Sequence, residues 1–150
     1  MLDEIDLKII TELQADGRLS YADLARKLQI NNSTALRRIK KLLEDGVITV
    51  HAVTDPKKVG LPVMAFIALN VEQSRIDDIC NFLSTSPSIY FIATSFGRYD
   101  ILITIQSPST DALSQFIKEK ITTTPGVLKA ETFYLSNITK RTLGAPPQYI

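Results

Sequence analysis

Four basic residues lie close together between Ser33 and Leu43, where no acidic residue interrupts them: Arg37, Arg38, Lys40 and Lys41. Drawn as a helix at roughly 100° per residue, this stretch has its apolar side chains on one side and its cations on the other. Such a face offers charge to phosphates and hydrogen-bonding groups to base edges. A run of basic residues on a helix is more often a face that is simply exposed to solvent. The neighbouring elements therefore have to distinguish a DNA-binding helix from a solvent-exposed one.

Residues 20–46 predict two short helices joined by a tight turn. Ser20 can satisfy a free backbone amide, so the first helix is expected to begin near Tyr21. The second helix, from about Asn32 to Asp45, carries the basic face. Two helices of these lengths with a cationic second helix are typical of a helix-turn-helix, and this context favours DNA binding over a solvated face.

In a helix-turn-helix the N-terminal end of the second helix enters the major groove. Asn31 or Asn32 is expected to cap that end, and Gly46 is expected to stop the helix because glycine adopts the left-handed conformation easily. We predict that Arg38, Lys40 and Lys41 neutralise phosphates. We predict that base edges are contacted by Ser33, Thr34 and Arg37, with Arg37 as the main specificity residue.

The other N-terminal elements are predicted to complete this domain, which we place at residues 1–54. Asp3 is expected to cap a helix of about Glu4 to Ala15, ended by Gly17, that packs as the third wall of a three-helix core. A run rich in β-branched residues, Val47 to Thr54, predicts a strand after the second helix of the pair.

Residues 55–62 have the proline and glycine content of a linker, and the pattern changes after them. Residues 63–136 predict the order β, α, β, β, α, β, with Ser74 and Asp77 as the start signal of the first helix. This is a ferredoxin-like antiparallel sheet with two helices on one face, so the whole chain is of the α+β class. Residues 137–150 are expected to form a C-terminal tail.

Both faces of the first predicted strand are apolar, because Val63, Ala65, Ile67, Leu69 and Val71 alternate with Met64, Phe66 and Ala68. Helices can cover only one of these faces. An apolar sheet face of several hundred Å² left uncovered implies a partner. A second copy of the chain is the simplest partner, which predicts a homodimer.

Composition excludes several classes of protein. The chain has 150 residues, a formal net charge of +1 and 45% hydrophobic residues, so it can bury a core. Its single cysteine, Cys80, excludes an internal disulfide, and its single histidine, His51, leaves no set of ligands for a metal. No signal peptide or membrane segment is expected, which predicts a cytoplasmic protein without a membrane partner.

The chain resembles the Lrp/AsnC family of transcriptional regulators, also called feast/famine regulatory proteins, over nearly its whole length. The residues that carry the resemblance lie in both halves of the chain: Asp6, Ile9, Leu13, Ala15 to Arg18, Leu24, Ala25, Arg38, Ile39, Leu42, Gly46 to Ile48, Gly60, Gly97, Asp100 and Pro125 to Val127. The resemblance implies a DNA-binding domain, a ligand-binding module that dimerises, higher assemblies such as octamers, and an amino-acid effector bound between subunits. Gln29 departs from the family, which usually has glycine in that turn.

The effector candidate is the predicted hairpin Gly97, Arg98, Tyr99 and Asp100. Its amides could hold an α-carboxylate and Asp100 an α-ammonium group. From the residues alone, a plain hairpin turn is the better explanation. The resemblance to the family, whose Gly-x-x-Asp pattern matches here, favours a ligand site instead. Further wall positions are Ser95, Thr132 and Tyr134, whose uncharged character favours a neutral polar amino acid such as glutamine or asparagine. No other cofactor is expected.

Two alternatives remain at this stage. Split sheets of this kind also host enzymes, but the chain has no glycine-rich phosphate loop, no clustered carboxylates and no nucleophile and base pair, so we expect no catalytic residues and no enzyme. An architectural protein that binds DNA without an amino-acid effector shares every DNA-facing feature. The sequence does not separate that protein from an effector-controlled regulator.

Overall fold

A computed structural model describes residues 2–140 of the chain. The described chain divides into two compact units, one within residues 2–53 and the other Thr54–Thr139. Most of the predicted C-terminal tail, residues 141–150, lies outside the described residues. Each unit has its own hydrophobic core.

The N-terminal unit consists of three helices: α1 (Glu4–Ala15), α2 (Tyr21–Leu28) and α3 (Asn32–Glu44). Their apolar faces meet in one core of buried side chains, namely Ile9, Ile10, Leu24, Ile39 and Leu42. The predicted helix-turn-helix and its third wall are therefore confirmed, with bounds within one residue of those expected.

Local hydrogen bonds fix the turn between α2 and α3. The Ser20 hydroxyl accepts a hydrogen bond from the backbone N–H of Asp23, and the Asn31 side chain accepts one from the backbone N–H of Thr34. Asn31 is thus the cap of α3. Gln29 in this turn has a left-handed backbone with φ of 55°. Glycine adopts that conformation at lower cost, so a residue with a side chain is less favourable here than the glycine that the resembled family usually has.

Two expectations for this unit are wrong. Val47 to Thr54 does not form a strand, because within the described part of the chain no other strand pairs with it, and Val50 and Val53 are exposed. Helix α1 ends at an extended Asp16, whose backbone N–H donates to the Glu12 carbonyl, and Gly17 does not supply a left-handed cap.

The second unit is an antiparallel sheet in the order β2-β3-β1-β4 with helices on one face. Its strands are β1 (Val63–Val71), β2 (Ile89–Thr94), β3 (Ile101–Ser107) and β4 (Val127–Tyr134). Its helices are α4 (Ile76–Ser84) and α5 (Thr110–Phe116), and α5 continues as a π-helical turn, Ile117–Ile121. The ferredoxin-like prediction is confirmed.

The start of α4 differs from the prediction. Ser74 and Asp77 do not cap it, because a short 3₁₀ turn, Gln73–Arg75, precedes the helix and no side chain caps either element. Ser109 caps α5, since its hydroxyl accepts a hydrogen bond from the backbone N–H of Ala112.

The strand register separates the sheet into two faces. Ala65, Ile67 and Leu69 of β1 point into the core with Ile79, Leu83 and Ile121 from the helices. The opposite face, here called the open face, carries Phe91, Thr104, Phe66 and Phe133 at one level across the four strands. Phe91 and Phe133 are 48% and 43% exposed, which leaves the apolar open face that the sequence predicted.

Gly126, in the turn before β4, is a position where a substitution tests how tightly the second unit is packed. Its φ is +94°, and a Cβ there would lie 2.9 Å from Cδ of Arg75 and 3.3 Å from Cδ1 of Ile79. Gly126→Ala should lower the free energy of unfolding by about 2–4 kcal/mol, from backbone strain and steric overlap together. Gly60→Ala is the matched control, since Gly60 has a φ of +82° and open space around it, and should cost about 1 kcal/mol. Equal losses in urea unfolding would show that the contact with Arg75 and Ile79 is unimportant.

Candidate nucleic-acid interface and effector site

Most cations of the N-terminal unit are paired with a carboxylate. Six of the eight Lys and Arg side chains in residues 2–53 form ion pairs: Lys8 with Glu4, Arg18 with Asp16, Arg26 with Asp23, Lys27 with Glu12, Arg38 with Asp3 and Asp6, and Lys41 with Asp45. Within residues 2–53, Arg37 and Lys40 are the two without an acidic partner, and both are exposed. The cationic charge left for an external anion is therefore concentrated on α3.

Arg38 points away from the exposed face of α3. Its Nη1 donates to Asp3 Oδ2 at 2.6 Å and to Asp6 Oδ1 at 2.8 Å, and only 20% of its side chain is exposed. These two carboxylates raise the pKa of Arg38 further above its ordinary value. Arg38 therefore joins α3 to the start of α1, and its guanidinium is bound to carboxylates and does not project from the exposed face of α3 that was predicted to contact phosphates.

Asp3 serves both helices. Its side chain accepts from the backbone N–H groups of Ile5 and Asp6, and the Asp6 side chain accepts from the backbone N–H of Asp3, which completes a capping box. The hydrogen bond from the Asp6 backbone, followed by that from Arg38, lowers the pKa of Asp3. The Asp3 carboxylate thus pairs backbone N–H groups at the start of α1 that would otherwise lack a partner, and it also binds Arg38 of α3.

The remaining predicted residues define a narrower surface, the basic stripe, formed by Ser33, Arg37 and Lys40. Spacings of four and three residues place them side by side on one helix face. Thr34 is half-buried, and the nearby Lys41 Nζ lies 3.5 Å from Asp45 Oδ2 in an exposed pair. Of the cations predicted to contact DNA, the basic stripe holds the two that form no ion pair within residues 2–53. Surface pairs are weak, so Lys41 still adds positive charge at its edge.

The Ser33 hydroxyl is not a free hydrogen-bonding group. It donates to Asn31 Oδ1 at 2.8 Å, the same oxygen that accepts from the Thr34 backbone. A contact between Ser33 and a base would have to replace or share this bond. Arg37 is consequently the best-placed side chain on the basic stripe for contact with a base edge.

The hairpin that the sequence predicted to bind an effector is fixed to the C-terminal end of β1. Asp100 Oδ2 accepts from the backbone N–H of Val71 at 2.9 Å, and its Oδ1 accepts from Gln73 Nε2 at 2.7 Å. Asn70 Nδ2 donates to the Arg98 carbonyl at 2.7 Å. The hairpin is thereby positioned by side chains outside it, which the sequence pattern did not reveal.

Tyr99 has a partner that sequence reasoning missed. Its hydroxyl donates to Glu131 Oε2, and the Arg98 guanidinium lies 5.4 Å from the centre of the Tyr99 ring. The Tyr99 hydrogen bond lowers the pKa of Glu131, and the same bond to Glu131 raises the pKa of Tyr99. Glu131 pairs with Ala68 in the register and so lies on the open face. In the sequence, the only feature that could have pointed to Glu131 is that it is a carboxylate within a predicted strand.

The structure does not bring all the predicted effector residues together in one chain. Thr132 and Tyr134 pair with Ile67 and Ala65, so they belong to the helix-covered face, whereas Glu131 lies on the open face. Ser95 is half-buried beside the hairpin, and its backbone N–H donates to the Asp100 carbonyl. Gly97 is exposed, and its backbone is not left-handed. Ser95, Gly97, Arg98, Tyr99 and Asp100 therefore form one group, and Thr132 and Tyr134 stand apart from it.

Within the described residues 2–140, no group of three or more His, Cys, Asp or Glu side chains could hold a metal ion. Cys80 packs against the core of the second unit, where burial raises the pKa of its thiol. None of the helices in the same part of the chain has the length and apolar character needed to cross a membrane.

Comparisons with known proteins agree with this division of the chain. Residues 2–49 match a winged helix-turn-helix DNA-binding domain, and residues 59–144 match the C-terminal dimeric alpha+beta barrel domain of AsnC-type regulators. The HTH-type transcriptional regulator FL11 of Pyrococcus horikoshii is 32% identical over 146 residues, which cover 97% of this chain and 96% of that protein.

Solved structures resemble the whole chain. The transcriptional regulator NMB0573 of Neisseria meningitidis, determined in complex with L-Met, has a TM-score of 0.93 and 26% identity, with 99% of each chain covered. AsnC of E. coli has a TM-score of 0.87 and 25% identity, with 95% of this chain and 98% of that chain covered.

The placement of Arg38 leads to a test that separates structural from DNA-contacting cations. Arg38→Met keeps the aliphatic packing and removes the charge, so the N-terminal unit should lose about 1–2 kcal/mol of stability because Asp3 and Asp6 lose their cation. The slope of log affinity for duplex DNA against log salt should stay at the wild-type value, since no phosphate contact is removed. Melting curves and salt titrations measure the two effects. An unchanged melting point together with a slope reduced by about 0.9 would return Arg38 to the phosphate-contacting set.

Proposed function

The chain belongs to the Lrp/AsnC family of DNA-binding transcriptional regulators, and from this premise we propose that its assembly or DNA binding is controlled by an amino acid bound at the β2–β3 hairpin. We further propose that the basic stripe of α3 contacts the operator. The observation that carries the DNA interface is the pair of exposed cations, Arg37 and Lys40, left without carboxylate partners among residues 2–53.

The charge along α3 supports entry of its N-terminal end into the major groove. The first turn of α3 contains no acidic residue, whereas Glu44 and Asp45 lie at its far end. Phosphates are attracted to the N-terminal end by the helix dipole and by Arg37, and are repelled at the C-terminal end. Lys40 lies between these ends, where it meets a phosphate at the side of the groove.

Dimerisation is proposed through the open face. Three phenylalanines, Phe66, Phe91 and Phe133, lie at one level across it, and two of them are more than 40% exposed. Burying aromatic side chains of this size against a second sheet contributes several kcal/mol of hydrophobic free energy. The matched family domain is described as a dimeric alpha+beta barrel, which supports dimerisation of this unit.

An amino-acid effector is proposed at the hairpin because NMB0573, which resembles this chain over its full length, binds L-Met in its solved structure. In this chain the hairpin offers Asp100 for an ammonium group and the exposed backbone around Gly97 for a carboxylate. Each oxygen of Asp100 accepts one hydrogen bond, from Val71 or Gln73, and retains a further lone pair. Because Thr132 and Tyr134 lie apart from this group, we propose that they would line the site only from a neighbouring copy.

The DNA interface is tested by comparing three alanine variants on a preferred duplex, chosen from a random library with the wild-type protein, and on random DNA. Arg37→Ala should weaken binding to the preferred duplex by about 1–3 kcal/mol, and the loss should concentrate at one base position. Lys40→Ala should weaken binding to both duplexes alike and reduce the salt slope by about 0.9. Lys8→Ala, which removes a cation paired with Glu4 on α1, is the control and should leave affinity and slope unchanged.

A loss with Arg37→Ala that is equal on preferred and random DNA would show that Arg37 contacts phosphate only. If Lys8→Ala matched Lys40→Ala in slope, the charge of the whole unit, and not the basic stripe, would govern binding.

The effector site is tested by thermal shift of the full chain against the twenty amino acids. A ligand that binds only the folded protein adds about 2.7 kcal/mol of stability at one hundred times its Kd. Asp100→Asn keeps an acceptor for the Val71 backbone and removes the charge, so it should fold normally and lose the ligand-induced shift. Asp100→Ala should lose the shift and also about 1–3 kcal/mol of stability, because the Val71 N–H is left unpaired. Gln73→Ala, which removes only a donor to Asp100, should keep the shift.

An unchanged shift in Asp100→Asn would remove Asp100 from the effector site. No shift with any amino acid in the wild-type protein, together with intact DNA binding, would favour the architectural alternative.

A further inference from the structure

Asn32 is the first residue of α3, and the fold does not use its side-chain amide. Asn31, one residue earlier, caps the helix, because its Oδ1 accepts from the Thr34 backbone N–H and from the Ser33 hydroxyl, each at 2.8 Å. Asn32 is exposed, and its side chain forms no hydrogen bond within the described residues 2–140. Of the two asparagines that the sequence offered as caps, the second one is therefore available to another molecule.

Helix α3 gains little stability from an asparagine at its first position. Asparagine is a poorer helix former than alanine, and its advantage at helix ends belongs to the cap position, which Asn31 already occupies. Folding therefore gives no reason for the carboxamide of Asn32, and a contact outside the chain is the remaining use for it.

The position of Asn32 brings its amide to the base edges in the proposed complex with DNA. Side chains of an α-helix lean towards its N-terminus, so the side chain of the first residue reaches past the end of the helix. This is the end that enters the major groove in a helix-turn-helix complex. The first turn of α3 contains no acidic residue, so no negative charge opposes the duplex at this point.

A free carboxamide selects one base in the major groove. Its NH₂ group donates to N7 of adenine while its oxygen accepts from the N6 amino group, and only adenine presents this acceptor and donor together. The Ser33 hydroxyl is a weaker candidate, because its hydrogen is already donated to Asn31. Arg37 carries only donors, which match N7 and O6 of guanine. Asn32 and Arg37 are therefore suited to different bases.

The rise of α3 sets the expected spacing of these two bases. Arg37 follows Asn32 by five residues, which corresponds to about 7.5 Å along the helix axis. Successive nucleotides of one DNA strand are about 3.4 Å apart, so a helix lying along the groove covers about two base pairs between the two side chains.

We propose that Asn32 is a second specificity residue of this chain, and that it pairs through two hydrogen bonds with an adenine about two base pairs from a guanine contacted by Arg37. The proposal rests on the DNA interface proposed above and adds to it a residue, a base and a spacing. Asn32 lies outside the basic stripe and carries no charge, so it contributes to the choice of sequence and not to the salt dependence of binding.

Selection of duplexes from a random library by the full chain tests the assignment. The wild type should select an adenine about two base pairs from a guanine. Asn32→Ala should keep the guanine, lose the adenine preference, and bind the preferred duplex at least about fivefold more weakly. Asn32→Asp can only accept hydrogen bonds, so its preference should move from adenine to cytosine, whose N4 amino group donates. Gln29→Ala removes an exposed amide from the turn outside α3 and is the matched control, which should select the wild-type sequence.

A duplex with 7-deazaadenine at the selected position tests the same contact at one atom, because a carbon replaces N7. In fluorescence anisotropy the wild type should bind this duplex several-fold more weakly than the adenine duplex, and Asn32→Ala should bind both equally. The melting temperature of Asn32→Ala should not fall below that of the wild type, since Asn31 remains as the cap.

An Asn32→Ala protein that still prefers adenine, or a wild type that binds both duplexes equally, overturns the proposal. A loss that is the same on every sequence would show a phosphate contact and overturns the base assignment. If Arg37→Ala and Lys40→Ala change DNA binding as expected while Asn32→Ala does not, this inference fails and the DNA interface stands. If neither Arg37→Ala nor Lys40→Ala changes DNA binding, the interface itself is wrong.

Discussion

Pairing of cations with carboxylates within the N-terminal unit decides which charges remain for DNA. Among residues 2–53, six of the eight Lys and Arg side chains have acidic partners, so a small net charge coexists with a defined cationic surface on α3. The surface pairs among these are individually weak. The Arg38 pair differs, because Arg38 and Asp6 are only 20% and 16% exposed and two carboxylates bind the same guanidinium, which couples α3 to the start of α1.

The sequence predicted the elements whose stabilising contacts are local. Helix caps at Ser20, Asn31 and Ser109 lie three residues from the amides that they satisfy. Short-range spacing of this kind predicted the Ser20 cap and narrowed the cap of α3 to Asn31 or Asn32. Arg38 could not be placed in this way, because its partners lie 32 and 35 residues earlier in the chain. The predicted strand at Val47 to Thr54 was wrong for a related reason. Strand propensity is a property of single residues and does not show whether another strand is available to pair with their backbone.

The face of the sheet on which each predicted effector residue lies depends on the strand register. The sequence did not predict that register. A shift of one residue exchanges the two faces of a strand, and the pairing of β1 with β4 shifts at Asn70 and Val71. The Gly-x-x-Asp spacing located the hairpin correctly but not the Val71 backbone that Asp100 holds. Glu131, which the hairpin contacts through Tyr99, was missed because its partner lies 32 residues away.

The hairpin and the start of α4 share one carboxylate, because Asp100 accepts from the Val71 backbone through one oxygen and from Gln73 through the other. Gln73 begins the 3₁₀ turn that leads into α4. If the proposed amino acid binds at Asp100, it competes with hydrogen bonds that hold both the end of β1 and this turn. Under that proposal the ligand can shift an equilibrium between two states of the protein only by the difference in its affinity for them, so the contacts of Asp100 are where such a difference would arise.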